Sequence, residues 1–322
     1  MTILGIESIA YGVDDIATAT RFFADFGLPP AKSDTAGADF RLAEGSSVHV
    51  RKSDDPALPP PFAPGPGLRE IVWGVDSAQA LDALAADLGR DRPLRRDNDG
   101  TIHTKDDVGL AIGFRLYQRT PPQDPPQTEN GLATIKRWNQ LRKWYERAVP
   151  QVLHHAVFFA PEIDKGVAFY TKRLNFRVTD MIRNVGVFMR CEGRNDHHNL
   201  FLIKTQQLRF NHVAFGVENI DELMTGANEM QRKGWSSKDG LGRHRATSII
   251  FYYVDCPAGG TCEYMCDSDY LTDAWEPRLW GSGFANHHWL GSWDPKMPAP
   301  KWEWRLLPKP LPSFAEASAL PE

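Results

Sequence analysis

The sequence predicts an α+β fold in which a strand–helix–strands unit is repeated four times and the copies are grouped in two domains. Three observations carry this expectation. A pattern recurs after 57 positions in the second half, weaker copies of it stand in the first half, and proline-rich breaks separate the copies. A chain of 322 residues has room for two domains of ordinary size.

The first copy opens with Ile6-Glu7-Ser8-Ile9-Ala10-Tyr11 ahead of Ile16, and the second with Arg69-Glu70-Ile71-Val72-Trp73 ahead of Leu81. Pro56 to Gly67, and Thr120 to Gly131 with Pro121, Pro122, Pro125 and Pro126, read as loops or linkers. Ile135, Trp138, Leu141 and Trp144 recur about every three residues, so a packed connecting helix is expected over Ala133 to Val149. The third copy runs from Leu153-His154-His155-Ala156-Val157-Phe158 through Ile163-Asp164 to Val167-Ala168-Phe169-Tyr170. The fourth runs from Asn211-His212-Val213-Ala214-Phe215 through Ile220-Asp221 to Leu223-Met224. His155 thereby falls on His212, Phe158 on Phe215, Ile163 on Ile220 and Asp164 on Asp221. The expected divisions are a first domain over 1–117, a linker and helix over 118–149, a second domain over 150–270 and an aromatic-rich lid or tail over 271–322.

Composition narrows the function classes. At 42% hydrophobic and 24% charged the chain has the make-up of a globular protein, and its net charge of -4 leaves no basic footprint for nucleic acid. No apolar run approaches the roughly 20 residues of a membrane span. The start, Met1-Thr2-Ile3-Leu4-Gly5-Ile6-Glu7, lacks a basic region followed by an apolar core, so no signal peptide is expected. The four cysteines (Cys191, Cys256, Cys262, Cys266) form no CxxC pair, which speaks against a disulfide scaffold or zinc ribbon and for a reducing cytoplasm. A homo-oligomer is the expected assembly.

Chemistry concentrates late in the chain. Gly242-Arg243-His244 precedes Tyr253-Val254-Asp255-Cys256-Pro257-Ala258-Gly259-Gly260-Thr261-Cys262-Glu263. A histidine, a tyrosine, a Pro-x-Gly turn and a strand-borne glutamate in that order resemble the signature of type I extradiol ring-cleaving dioxygenases. Two positions depart from it: Tyr252 replaces an aliphatic residue or Phe, and Cys256 a small polar residue. The four βαβββ modules likewise resemble the vicinal oxygen chelate fold of glyoxalases, bleomycin-resistance proteins and dioxygenases, over roughly residues 3–117 and 150–270. The resemblance implies a non-haem Fe(II), occasionally Mn(II), and the opening of a catechol by O2 to a muconic semialdehyde-type product.

Two neutral imidazoles and one carboxylate on one face suit such a metal, because they leave positions for a catecholate and for O2. His155, His212 and Glu263 are the expected metal ligands. Alternate strand residues share a face, so His212 should point with the small Ala214 and Gly216, while Val213 and Phe215 pack outward. Buried carboxylates are rare unless paired, and Glu263 sits in an apolar strand. A lone strand histidine is more often a satisfied side chain, and His154 rivals His155, but the 57-residue shift favours His155. In the first half the three ligand positions fall on Ser8, Glu70 and Gly113, which cannot together hold a transition metal. That domain is expected to be a metal-free duplicate.

Three further residues match positions of the resembled family. His198 corresponds to a histidine beside the O2 site, suited to general acid–base work, with His197 as the alternative. His244 and Tyr253 match residues that hydrogen-bond the catecholate or oxygen intermediates. Arg245 and Ala246 follow His244, where biphenyl-type members often carry Asn and Asp. Cys262 and Cys266 read as small core residues, and His49 and His103 as incidental.

The segment after Glu263, with Trp275, Trp280, Asn286-His287-His288-Trp289 and Trp293, resembles the C-terminal lid of homoprotocatechuate-type members, though a tail or a subunit interface explains the tryptophans equally well. Asp239 and His287-His288 stand where those members carry carboxylate-gripping arginines. A neutral catechol is the expected substrate. Two other readings remain: a non-catalytic protein that binds or sequesters an aromatic ligand, which would be expected to lose the triad, and an oxygenase resembling 4-hydroxyphenylpyruvate dioxygenase, whose ligand order is similar. A glyoxalase-like isomerase would usually need a fourth protein ligand.

Overall fold

Each copy of the repeat opens with a long apolar strand, and a short polar corner turns the chain into a helix that covers the sheet. The corners are chemically alike. Asp15, Ser77 and Asn219 each cap the following helix by accepting a hydrogen bond from a backbone N–H of its first turn. A computed structural model describes residues 1–122, 129–237, 239–282, 287–290 and 303–321. Pro125 and Pro126 of the second break, and Asn286 and Trp293 of the tail, lie outside the described residues.

The first copy comprises β1 (Ile3–Val13), α1 (Ile16–Asp25), β2 (Pro30–Ser33), β3 (Gly37–Arg41) and β4 (Ser47–Lys52). The second comprises β5 (Gly67–Val75), α2 (Ala78–Leu88), β6 (Arg95–Arg96), β7 (Ile102–Lys105) and β8 (Ala111–Leu116). In the second half the same order gives β9 (Val152–Ala160), α3 (Ile163–Arg173), β10 (Arg177–Ile182), β11 (Gly186–Arg190) and β12 (Leu200–Lys204). The fourth copy gives β13 (Arg209–Gly216), α4 (Ile220–Arg232), β14 (Leu241–Arg243), β15 (Ile250–Asp255) and β16 (Thr261–Cys266). Helices α3 and α4 begin at Ile163 and Ile220, the positions that the repeat places in register.

Two sheets result. One has the order β2-β3-β4-β1-β5-β8-β7-β6, and the core of the other is β14-β15-β16-β13-β9-β12-β11-β10. In each, the opening strands of two copies pair antiparallel at the centre, β1 with β5 and β9 with β13. These central strands share a local irregularity. Register shifts leave an extra residue at a corresponding place in each: Glu7 between Ile6 and Ser8 (β1 has a second, Leu4), Arg69 between Leu68 and Glu70, His154 between Leu153 and His155, and Asn211 between Phe210 and His212. Such bulges re-aim the side chains beside them. They precede the corresponding position in all four copies.

The two halves pack through aromatic side chains. Phe26, at the end of α1, is fully buried and stacks on Tyr264 of β16, with ring centroids 3.9 Å apart and planes 6° from parallel. The Tyr264 hydroxyl donates to the Phe26 carbonyl at 2.8 Å. Phe26→Ala is expected to cost about 3–5 kcal/mol, a cavity in a core that spans both halves, measurable by urea denaturation.

The connecting helix expected over Ala133 to Val149 does not form; bends and irregular backbone occupy that stretch. Trp138, Leu141 and Trp144 are 75%, 80% and 78% exposed, so among the described residues no surface covers the apolar stripe. An amphipathic helix draws its stability from such a surface. His197 and His198 also depart from expectation, standing in a bend ahead of β12 instead of a strand. The tail adds strands to both edges of the second sheet. β17 (Arg278–Trp280) runs parallel to β10 and pairs with β19 (Trp304–Leu306), while β18 (Trp289–Leu290) pairs with β14. A short helix, α5 (Phe314–Ser318), closes the chain against α3 and β10. No described helix is long and apolar enough to cross a membrane.

Candidate active site

Strand register assembles the site. His155 on β9 pairs with Ala214 on β13, Ala214 with Glu263 on β16, and Glu263 with Tyr253 on β15. These four residues form a row across four strands, and His212 lies two residues before Ala214 on the same face. The methyl group of Ala214 is small enough for His155 and Glu263 to meet over it. His155 Nε2 and His212 Nε2 each lie 3.2 Å from Glu263 Oε2, and 3.4 Å from one another.

This geometry fits a metal ion better than it fits a hydrogen-bonded cluster. Among the described residues, this is the one group of His, Cys, Asp or Glu whose three ligand atoms lie within 4.8 Å of one another. Both Glu263 carboxylate oxygens are buried without a hydrogen-bond partner, although two imidazole nitrogens sit beside them. An unpaired buried carboxylate is costly. Three atoms bound at about 2.1 Å to one ion at right angles would stand about 3 Å apart, close to the observed edges. Burial alone would raise the Glu263 pKa, but the two imidazoles more than offset it and hold the carboxyl well below its ordinary range. Burial pushes the His155 imidazole down to about 4. Two imidazoles and an ionised carboxylate are the donor set that suits a divalent transition metal.

His155 and His212 open into a cavity of about 580 Å³. His198, His244 and Tyr253 all line it, as does His287 of the tail. His198 is 3% exposed, its ring centroid 4.1 Å from that of His155; burial, then the surrounding imidazoles, holds it well below its ordinary pKa. Its neighbour His197 is fully buried and turned away, with Nε2 3.4 Å from Asp180 Oδ2. His244 Nε2 lies 3.2 Å from the Tyr253 hydroxyl and its ring stacks on Phe251 at 4.1 Å. Burial, reinforced by Glu263, keeps the Tyr253 phenol well above its usual pKa, so at neutral pH it carries its proton. Cys262 is fully buried in the main core, and Cys266 is buried there as well.

The first half shows what the same frame does without the ligands. Glu70, in the position of His212, accepts from His103 Nδ1 at 2.8 Å, and His103 Nε2 lies 3.1 Å from Asp97. His103 is therefore a carboxylate partner, where the sequence suggested an incidental residue. His49 is likewise paired, 2.7 Å from Asp39.

Several lining residues escaped the reading of the sequence. Ile182, Phe188, Phe201, Ile203 and Phe210 form an apolar wall, with Phe188 and Phe201 stacked at 3.8 Å. β11 and β12 read as continuous apolar runs, Val187-Phe188-Met189 and Leu200-Phe201-Leu202-Ile203, so nothing in their pattern separates a cavity-facing side chain from a core one. Trp280 packs against that wall and is anchored through Nε1 to Asp180 Oδ2 at 2.7 Å.

Comparison with known proteins places this geometry. Residues 152–263 match the model of the Glyoxalase/Bleomycin resistance protein/Dioxygenase superfamily. The chain is 29% identical over 303 residues to metapyrocatechase 2 of Cupriavidus necator, covering 91% of this chain and 89% of that protein. It is 28% identical over 308 residues to biphenyl-2,3-diol 1,2-dioxygenase of Paraburkholderia xenovorans, covering 87% and 95% respectively. Among solved structures, the Mn(II)-bound glyoxalase from Novosphingobium aromaticivorans superposes with a TM-score of 0.72 at 23% identity, covering 94% of this chain and 96% of that one, a likeness of fold. Residues 152–263 thus form a domain of the Glyoxalase/Bleomycin resistance protein/Dioxygenase superfamily.

Proposed function

We propose that this protein is an extradiol dioxygenase that opens a catecholic ring with O2 at a non-haem Fe(II) held by His155, His212 and Glu263. The observation that carries the reading is a buried two-histidine, one-carboxylate set opening into an aromatic-walled cavity. The names of the relatives support it. What Fe(II) supplies when bound is adjacent coordination positions for the catechol oxygens and O2, and a path for electron density between them. Residues 150–270 serve as the catalytic domain and residues 1–117 as its metal-free duplicate.

The chain's own residues do the rest. Tyr253 donates its phenolic proton to a catechol oxygen, and His244, within 3.2 Å of that hydroxyl, holds the other side of the contact. His198, kept neutral by burial, accepts and returns a proton on the O2 side. Phe188, Phe201 and Ile182 clamp the ring and exclude water. The test is oxygen uptake by anaerobically purified, iron-loaded protein with a panel of catechols, each turnover giving one yellow semialdehyde-type product. Full iron occupancy with no uptake on any catechol would overturn the proposal.

A neutral catechol is the preferred substrate. Asp239 and Asp255 line the cavity, and no Lys or Arg does so among the described residues. Arg243 is paired with Asp267 at 2.7 Å, and Arg278 lies between the rings of Trp275 and Trp304. Burial lowers the pKa of His287, leaving it uncharged near pH 7.5. Specificity for 4-methylcatechol should exceed that for homoprotocatechuate by about tenfold or more, ~1.4 kcal/mol of discrimination. A preference for the carboxylated substrate would show that a basic group reaches the cavity.

A further inference from the structure

We infer that the extra residues of the two central bulges, His154 in β9 and Asn211 in β13, are positioning residues that orient the metal ligands next to them. The inference rests on reading His155, His212 and Glu263 as the metal set. In a regular strand, successive side chains leave from opposite faces and cannot touch. Here they do. His154 Nδ1 lies 2.9 Å from His155 Nδ1, and Asn211 Oδ1 lies 2.8 Å from His212 Nδ1. Each contact is made possible by the register shift at that residue.

Counting the ring nitrogens assigns the direction of both bonds. The Nε2 atoms of His155 and His212 converge on Glu263, so those are the atoms with lone pairs for a metal. A neutral imidazole then carries its single proton on Nδ1. His212 Nδ1–H donates to the amide oxygen of Asn211, and His155 Nδ1–H donates to the bare Nδ1 of His154. The proton of His154 is thereby placed on Nε2, which makes no hydrogen bond but lies within ion-pair range of the buried Asp196, 3.5 Å from its Oδ1. Asp196 is itself buried and held through Oδ2 by Arg194 Nε at 3.0 Å and Asn199 Nδ2 at 3.1 Å. One ligand is thus oriented by an amide and the other by a chain from Asp196 through His154. Holding the outer nitrogen fixes both the tautomer and the swing of the ring.

The bulge alone does not dictate these contacts. The first half has the same irregularity at Glu7, yet Glu7 turns to Arg119 and Arg115, at 3.2 and 3.3 Å. The backbone device is common to all copies, while a bulge side chain turned onto a neighbouring imidazole occurs only in the half that holds the ligand histidines.

The test uses full-length protein stripped of metal and titrated with Co(II) against a competing chelator, with the melting temperature of the apo-protein as a check on folding. His154→Ala and Asn211→Ala should each weaken Co(II) binding by about 10- to 100-fold without lowering that temperature. His154→Asn, which gives the first bulge the residue of the second, should restore wild-type affinity. Wild-type affinity in both alanine variants, or a His154→Asn variant no better than His154→Ala, overturns the inference. Should an alanine variant not fold, the reciprocal exchange of His154→Asn with Asn211→His keeps both acceptors and must bind Co(II) like wild type; loss there also overturns it. Failure of the wild-type protein to bind Co(II) would instead defeat the metal-centre reading beneath it.

Discussion

Replacing His155, His212 or Glu263 by Ala abolishes metal retention while leaving the fold in place. In the proposed site each residue would supply one of three protein bonds to the ion, and the remaining pair could not define a face for it. The fold survives because the three side chains contribute no packing that the apolar core depends on: both Glu263 oxygens already lack hydrogen-bond partners among the described residues. Elemental analysis after dialysis against chelator, alongside circular dichroism, measures both halves of the expectation. Full occupancy in all three variants would remove the assignment. Complete loss in His154→Ala with retention in His155→Ala would place the ligand one residue earlier.

His198→Ala keeps the metal and the catechol but slows ring cleavage on the order of 100- to 10,000-fold, the range of a positioned acid–base group. The side chain lies against His155 with ring centroids 4.1 Å apart, its Nδ1 is 3.3 Å from His197 Nδ1, and it lines the cavity. It therefore borders the cavity beside His155 without supplying one of the three converging ligand atoms. Single-turnover kinetics with O2, together with a peroxide assay, separate the steps: catechol binding persists, and reduced oxygen escapes as peroxide before the ring opens. An unchanged rate of ring cleavage would dismiss His198 from the chemistry.

The contrast between these residues and the cavity wall shows where sequence reading succeeds. His155 and His212 could be aligned because the repeat preserves local order: a strand, a corner, and a helix that begins at Ile163 or Ile220. Glu263 stood out because an acid in an apolar strand conflicts with its surroundings. Phe188, Phe201 and Ile182 carry no such conflict. An apolar residue in a strand satisfies any core, and only the curvature of β10 to β12 around the triad makes these side chains a wall. The tryptophans of the tail were ambiguous for the same reason. Trp280 is decided by its bond to Asp180, an acid on a different strand.

By itself, the sequence determined the four strand–helix–strands copies and the pairing of His155 with His212, because period-two strands and repeats are short-range patterns. Tertiary structure alone decided which side chains meet. It set Ala214 between His155 and Glu263, and turned His154 and Asn211 toward their neighbours through bulges. It also bound the tail to both edges of the sheet and left the stretch around Trp138 and Trp144 without a helix. Strand register and the presence of a covering surface are long-range properties, fixed by what packs against a segment and not by the segment's own residues.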